Sequence, residues 1–516
     1  MKNINKSIIL GLVTLLMTSF WGCKDDLSTL DTIKLPDITV DTTGQRMLNI
    51  FQFDRLQLNP KVIEKDLNGH TLSYEWSINL EPRSIDYITI GTTKQLDYEV
   101  SFAPTNQDYY HQVLLKITDE NTRIAYYQAW PLSIRNSIGE GLVIAETHDG
   151  VNTDISHIMS PLVTPDYSEE KIRHKVFSGV NGYTIPGLVN YMMYARLGST
   201  NVMLSATPNS LFTINTLDYQ MGVKNEALFY AEQPSYGAAY MVSTNNTQNE
   251  IIVHDKKIYA SWLQLTRFGL PSVTSYTIPN ILAINADASS PQNVRMSFYS
   301  EENGHFAFQT TFSSFGDRTI KPVPSFAGVF NPANVPNKVN VAAGANKQGD
   351  FLHLLKDKQT NKFELYILDG GSWDDVNWVV LPSKPKQYAD LSGAPEIDQA
   401  TQFVILDDQS VLLYATKTKI YAVMYSASTP SYGLRYTAAG GEEITTLRTY
   451  HQAHYPKETG PFFSRNGKQL VLSTYNGSEG KVHILPLINE GLANIDQANI
   501  KTYSGFGKIL FTTTQL

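Results

Sequence analysis

Apolar residues along this chain gather in short runs that alternate with polar ones, and helical periodicity is nearly absent. Leu72-Ser73-Tyr74-Glu75-Trp76-Ser77-Ile78 alternates strictly enough to predict a strand with one buried face. Val113–Thr118 predicts a second, ended by the turn residues Asp119-Glu120-Asn121, and Ala125–Ile134 a third. From Pro36 to about Asn136 this rhythm gives roughly six or seven strands in about 100 residues, the size of an immunoglobulin-like β-sandwich, with Trp76 as its central core aromatic.

From Ser137 the rhythm changes to recurring hairpins. Leu142–Glu146 runs into the turn Thr147-His148-Asp149-Gly150. Val202–Ser205 is expected to pair with Ser210–Ile214, Ile251–Val253 with Lys257–Trp262, Met296–Tyr299 with His305–Thr310, and Phe351–Leu355 with Phe363–Leu368. Gln402–Leu406, Ser410–Ala415 and Lys419–Tyr425 read as three consecutive strands. Phe462–Ser464, Lys468–Thr474 and Lys481–Leu487 read as three more, joined by Asn466-Gly467 and Asn476-Gly477 turns. The segments recur about every 45–60 residues, which fits four-stranded propeller blades. Seven segments predict seven blades over 137–516, with six or eight as the alternatives and with Lys508–Thr513 pairing back to the blade begun near Leu142. A ring covers the sheet faces that an open stack leaves bare. The expected fold is therefore all-β, a sandwich over 37–136 followed by a β-propeller; the rival arrangement is a pair of further sandwiches.

The first 22 residues break this pattern. Lys2 and Lys6 precede an apolar run from Ile8 to Trp21, too short to span a bilayer, and Gly22 ends it. Cys23, the only cysteine, follows at once and leads into Lys24-Asp25-Asp26. This predicts a signal over 1–22, lipidation of Cys23 and a tether over 23–36. No cysteine then remains for a disulfide, so about 490 mature residues depend on packed cores.

Cys23-Lys24-Asp25-Asp26 resembles the surface-export signal of Bacteroidetes lipoproteins. Tyr74-Glu75-Trp76, followed by Leu114-Leu115-Lys116-Ile117-Thr118-Asp119, resembles the YxW…VxVTD pattern of PKD-type domains. The chain as a whole is similar to PKD-like family lipoproteins of Bacteroidetes, which are associated with SusC/SusD-type outer-membrane nutrient importers. The resemblance implies a PKD-type sandwich, an outer-membrane lipid anchor facing the cell exterior, and as partners a SusC/SusD-like transporter, other surface lipoproteins and an oligopeptide or oligosaccharide cargo.

The formal charge of −8 becomes −10 once Lys2 and Lys6 leave with the signal, and no basic block appears. Nucleic acid is excluded as a partner on that ground. No HExxH, P-loop or GxSxG occurs, and the SxxK match at Ser168–Lys171 falls in a polar loop. No catalytic residue and no cofactor is expected. Asp149, Asn152 and Asp154 offer oxygens of the kind calcium takes, but too few for a calcium loop, so an ordinary Asp-Gly turn is expected. His451 and His454, with Glu458 nearby, lack the helical spacing that would aim two histidines at one metal.

Aromatic loops carry the remaining signal. Trp373 and Trp378 flank Asp374–Asn377, Tyr183, Tyr191 and Tyr194 surround Pro186-Gly187, Tyr230, Tyr236 and Tyr240 bracket Pro234-Ser235, and Tyr450 and Tyr455 flank the histidines. Propeller loops gather at the ends of the central channel, so such residues, Trp373, Trp378, Tyr183, Tyr191, Tyr236 and Tyr450 foremost, could form a platform for sugar or peptide. The expectation is a non-enzymatic accessory lipoprotein that captures or presents cargo to an importer. The rival is a surface hydrolase or lyase acting at the propeller mouth.

Overall fold

A computed structural model describes residues 35–43, 46–105, 109–243, 250–261, 265–272, 274–285, 294–311, 317–456 and 462–516, with the side chains of 238–243 left undescribed. Cys23, Lys24, Asp25 and Asp26 lie outside the described residues, as do Trp262 and Glu458. The chain divides into two compact units between Asn136 and Ser137.

The first unit is built on a five-stranded sheet in the order Leu48–Phe51, Ala125–Arg135, His111–Asp119, Leu72–Asn79, Tyr87–Gly91. The first pair is parallel and the others antiparallel. Two short pairs accompany it: Asp37–Asp41 with Lys61–Lys65, and Arg55–Leu58 with Leu96–Glu99. Alternation does what the sequence predicts. Val113, Leu115 and Ile117 turn inward from one strand, Trp76 and Ile78 from the next, onto a common core with Leu132 and Ile134. Trp76 is fully buried and stacks on Trp130, ring centroids 5.7 Å apart. Its Nε1–H donates to the Thr93 carbonyl at 2.9 Å. Trp76→Ala removes one of the two largest buried side chains of this core and leaves that carbonyl without its donor. We expect it to destabilise the unit by about 3–5 kcal/mol. Urea unfolding followed by far-UV circular dichroism checks this; a loss below about 1 kcal/mol would show that Trp76 is not the keystone.

In the second unit seven separate sheets of three or more strands follow one another among the described residues, six of them with four or more. Each runs mostly in sequence order, as in Gln402–Ile405, Val411–Ala415, Lys419–Met424, Ser431–Thr437. The first sheet is the exception. Its order is Lys171–Arg173, Asn152–Met159, Gly141–Thr147, Lys508–Gln515, so the C-terminal strand pairs with the unit's first, Leu142 opposite Thr514. The expected return of Lys508–Thr513 is thus present.

Most middle strands are buried on both faces, and alternation divides each between two neighbours. Leu412 and Tyr414 join Leu352, Leu354 and Leu365 of the fifth sheet. Val411, Leu413 and Ala415 join Leu447, Leu470 and Leu472 of the seventh. Similar shared cores join the second sheet to the third, the third to the fourth and the fourth to the fifth. The last links the seventh back to the first through Val471, Ile484, Leu142 and Ile144. The first and second sheets meet through Phe511 against Tyr191 and Tyr219 against His157. A cycle of sheets packed face to face is a β-propeller.

The expected hairpins pair as predicted at 202–215, 251–261, 296–309, 351–368, 402–424 and 469–486. Phe462–Ser464 does not form the expected strand. The strand that pairs with Gln469–Tyr475 on that side is Glu443–Thr449. Phe463 instead donates its backbone N–H to the Gln452 side chain at 2.6 Å and packs edge-on against Tyr450. Among the described residues one short α-helix, Val176–Asn181, and a few 3-10 turns interrupt the strands.

Candidate functional site at the centre of the ring

Around most of the ring, the strand that leads one sheet touches the leading strand of the next. Lys508–Gln515 meets Tyr191–Leu197 on one side and Glu443–Thr449 on the other, and Glu443–Thr449 meets Gln402–Ile405. These four strands enclose a cavity of about 530 Å³. Such strands converge, so they carry small or polar residues where outer strands carry bulky ones. At Gly344, on the inner strand Lys338–Ala345, an added Cβ would stand 3.1 Å from Ile405 Cδ1, and glycine permits that approach.

Tyr194, Phe403 and Tyr455 supply rings to the cavity wall, and Gln402, Arg448, Thr449, His451 and Thr512 supply polar groups. The Arg448 guanidinium lies 3.6 Å over the Phe511 ring centroid, which holds its plane. His451 stacks on Tyr455 with centroids 5.0 Å apart and 18° between planes. Its Nε2 is 3.4 Å from Asp407 Oδ2. Burial pushes the Asp407 carboxyl up, but the His451 contact and the charges of His451 and Lys347 outweigh it and hold it below the usual carboxylate range. Lys347 lies 3.7 Å from Asp408 and 5.5 Å over the Tyr455 ring. Burial lowers the Lys347 ammonium, yet Tyr455, Asp407 and Asp408 together carry it above its ordinary value. The Thr514 hydroxyl donates to the His451 carbonyl at 2.7 Å. The Thr449 and Thr512 hydroxyls have no protein partner, and Thr512 is only 1% exposed.

The aromatic residues singled out in the sequence do not all meet at one place. Tyr194, Tyr450 and Tyr455 line the cavity; Tyr450 is buried, donating its hydroxyl to the Val163 carbonyl at 3.0 Å and sealing the seventh sheet against the first. Tyr191 leans on Phe511, centroids 4.9 Å apart. Tyr236 lies parallel to His254 at 6.4 Å and packs on the core shared by the second and third sheets. Tyr183 is half exposed and edge-on to Phe177. Trp373 and Trp378 sit on a small hairpin, Ser372–Asp374 with Val379–Leu381, that is inserted between the last two strands of the fifth sheet. Trp378 is 77% exposed and edge-on to Trp373 at 6.1 Å.

Asp149 closes a turn. Its Oδ1 accepts from the backbone N–H of Val151 and Asn152, and its Oδ2 from Asn152 Nδ2. Asp374 and Asn377 repeat the same turn at the tip of the tryptophan hairpin. Those donors hold both carboxyls below the usual range. Asp154 is committed elsewhere: its Oδ1 accepts from the backbone N–H of Ile155 and Ser178, and its Oδ2 from the Ser178 hydroxyl. Among the described residues no group of three or more His, Cys, Asp or Glu side chains is placed to hold a metal ion.

The sequence reading did not single out Gln402, Phe403, Arg448, Thr449 or Thr512. The signal available was positional: each stands on the strand that leads, or in the case of Thr512 closes, a sheet.

With this geometry in view, comparison with known proteins adds the following. A PKD-like family domain is found at residues 23–188, a stretch that runs past Asn136 through the first strands of the second unit. No curated protein matches the chain. Among solved structures, a quinonprotein alcohol dehydrogenase-like protein from Bacteroides thetaiotaomicron aligns at 12% identity and a TM-score of 0.44, over 93% of this chain and 96% of its own. The Cps50 (Swd1) β-propeller domain from Myceliophteria thermophila aligns at 12% identity and a TM-score of 0.33, over 60% of this chain and 85% of its own.

Proposed function

We propose that the chain is a lipid-anchored protein of the outer-membrane surface, a non-enzymatic accessory of a SusC/SusD-like nutrient importer that captures or presents oligopeptide or glycan cargo. The observation that carries the reading is the cavity where four leading strands converge, walled by rings, amides and hydroxyls, which is the chemistry of a binding site. The Cys23 signal at the start of the chain supports the placement. Tethering raises the local concentration of a binder beside its transporter without any new contact. Cys23→Ser is expected to move the protein from the membrane fraction to the soluble fraction, read by immunoblot; a variant that stays with the membrane would remove the anchor from this account. Pull-down of the native chain from gently solubilised outer membranes is expected to bring a stoichiometric SusC/SusD-like pair.

A second reading, a surface hydrolase, draws on one observation, the Asp407–His451 contact at 3.4 Å beside the cavity. Recovery of the chain alone, with oligosaccharide or peptide hydrolysis that His451→Asn abolishes, would put this reading first.

A further inference from the structure

We propose that the central cavity takes a saccharide, a unit of one or two sugar rings, as the part of the cargo this protein holds; this rests on the binding reading above. Three features of the wall point there. The first is size: about 530 Å³ falls inside the roughly 300–1,000 Å³ typical of small-molecule sites.

The second is the pairing of flat and two-way polar groups. A sugar ring offers an apolar C–H face and a rim of hydroxyls that both donate and accept. Phe403 and Tyr194 supply rings for the face. Gln402, Thr449 and Thr512 supply an amide and hydroxyls that, like the sugar, work in both directions. Arg448 stands beside them, its guanidinium 3.6 Å over the Phe511 ring centroid.

The third is the unmet bonding of Thr449 and Thr512. Each hydroxyl lacks a protein partner while its residue lines the cavity, and Thr512 is all but fully buried. Both oxygens are buried in the wall, so an occupant reaches them only once the threonine side chain turns. An extended peptide fits less well. It docks by running along one open strand edge, and this wall is made of short stretches of four strands from four different sheets.

The test is calorimetric titration of the full chain in detergent with cellobiose, maltose, chitobiose and digalacturonic acid, and in parallel with trialanine and a Gly-Pro-Ala tripeptide. At least one disaccharide is expected to bind at a single site. Thr449→Val and Thr512→Val keep side-chain shape and remove one hydroxyl; each is expected to weaken that binding about 5–10-fold. Trp378→Ala, outside the cavity wall, is expected to leave it unchanged. Circular dichroism confirms folding, and if one threonine variant fails to fold the other carries the test. Tripeptide binding without saccharide binding overturns this inference and leaves the binding reading intact. Disaccharide binding that neither threonine variant weakens also overturns it. Failure of both ligand classes, with no importer in the pull-down, overturns the two together.

Discussion

Gln515→Ala is expected to destabilise the Ser137–Leu516 unit by about 3–5 kcal/mol, although Gln515 is the penultimate residue of the chain. Chain ends usually fray, and their substitutions usually cost little. Here the end is the closure of the ring. Gln515 lies opposite Gly141, and its side chain is fully buried. Its Nε2 donates to the carbonyls of Ile138, Gly139 and Thr216, the last two at 3.2 Å. Its Oε1 accepts from the Tyr219 hydroxyl at 3.1 Å, and that hydroxyl also lies 2.8 Å from His157 Nδ1. One amide therefore joins the start of the unit, the second sheet and the C-terminal strand. Alanine leaves buried carbonyls without a donor and opens a cavity at the seam. Tyr219→Phe, which removes one member of the network and keeps the ring, is expected to cost about 1–2 kcal/mol. Urea titration of the two variants beside the parent measures both. A Gln515→Ala loss below about 1 kcal/mol would mean that strand pairing closes the ring without this lock.

The middle strands were readable because both their faces are buried. Val411–Ala415 is an unbroken apolar run between turn residues, and Phe363–Leu368 is one broken only by Glu364; such runs have few alternatives to a covered strand. The leading strands were harder to see for the opposite reason. Glu443–Thr449 has three threonines and Lys338–Ala345 is rich in Ala and Gly, because these strands converge where bulk does not fit. Phe462 and Phe463 looked more like a strand than either. Their rings instead brace a turn against His454 and Tyr450. The binding site shared this blindness. Composition marks Trp378 and Tyr183 as conspicuous, and both lie outside the cavity wall. Thr449 and Thr512 are unremarkable in sequence. They become site residues only when 63 positions of chain fold to bring them to one wall.

Acid is expected to unfold the propeller unit well before its carboxylates titrate. His157 and His353 are fully buried, and burial alone dominates in pushing each imidazole down to about 3. Both sit where the neutral ring fits, His157 against Tyr219 and His353 Nε2 against the Ser297 hydroxyl at 2.9 Å. In the unfolded chain each histidine titrates near 6.5. The folded form binds protons more weakly than the unfolded form, so the stabilisation is complete above about pH 6.5. It is lost progressively as pH falls from there towards 3, at about 1.4 kcal/mol per pH unit for each histidine. Between pH 7.5 and 4.5 the two together are expected to remove about 5 kcal/mol. Buried His483 and the more exposed His174 are shifted the same way and add to the slope in the same window. The carboxylates act later. Asp357 is held low by Lys338 and by backbone donors from Thr360, and Asp317 is brought to about 2 by Lys321 and Thr319. Their contribution is present above the unfolded carboxylate value of about 3.9 and disappears only below it. Urea midpoints measured between pH 7.5 and 4.5 separate the two causes. His353→Gln keeps a hydrogen-bonding side chain and removes the titration, so its stability should fall less steeply over that interval than the parent's. Equal slopes would mean that His353 is protonated without unfolding, with its charge solvated inside the fifth sheet.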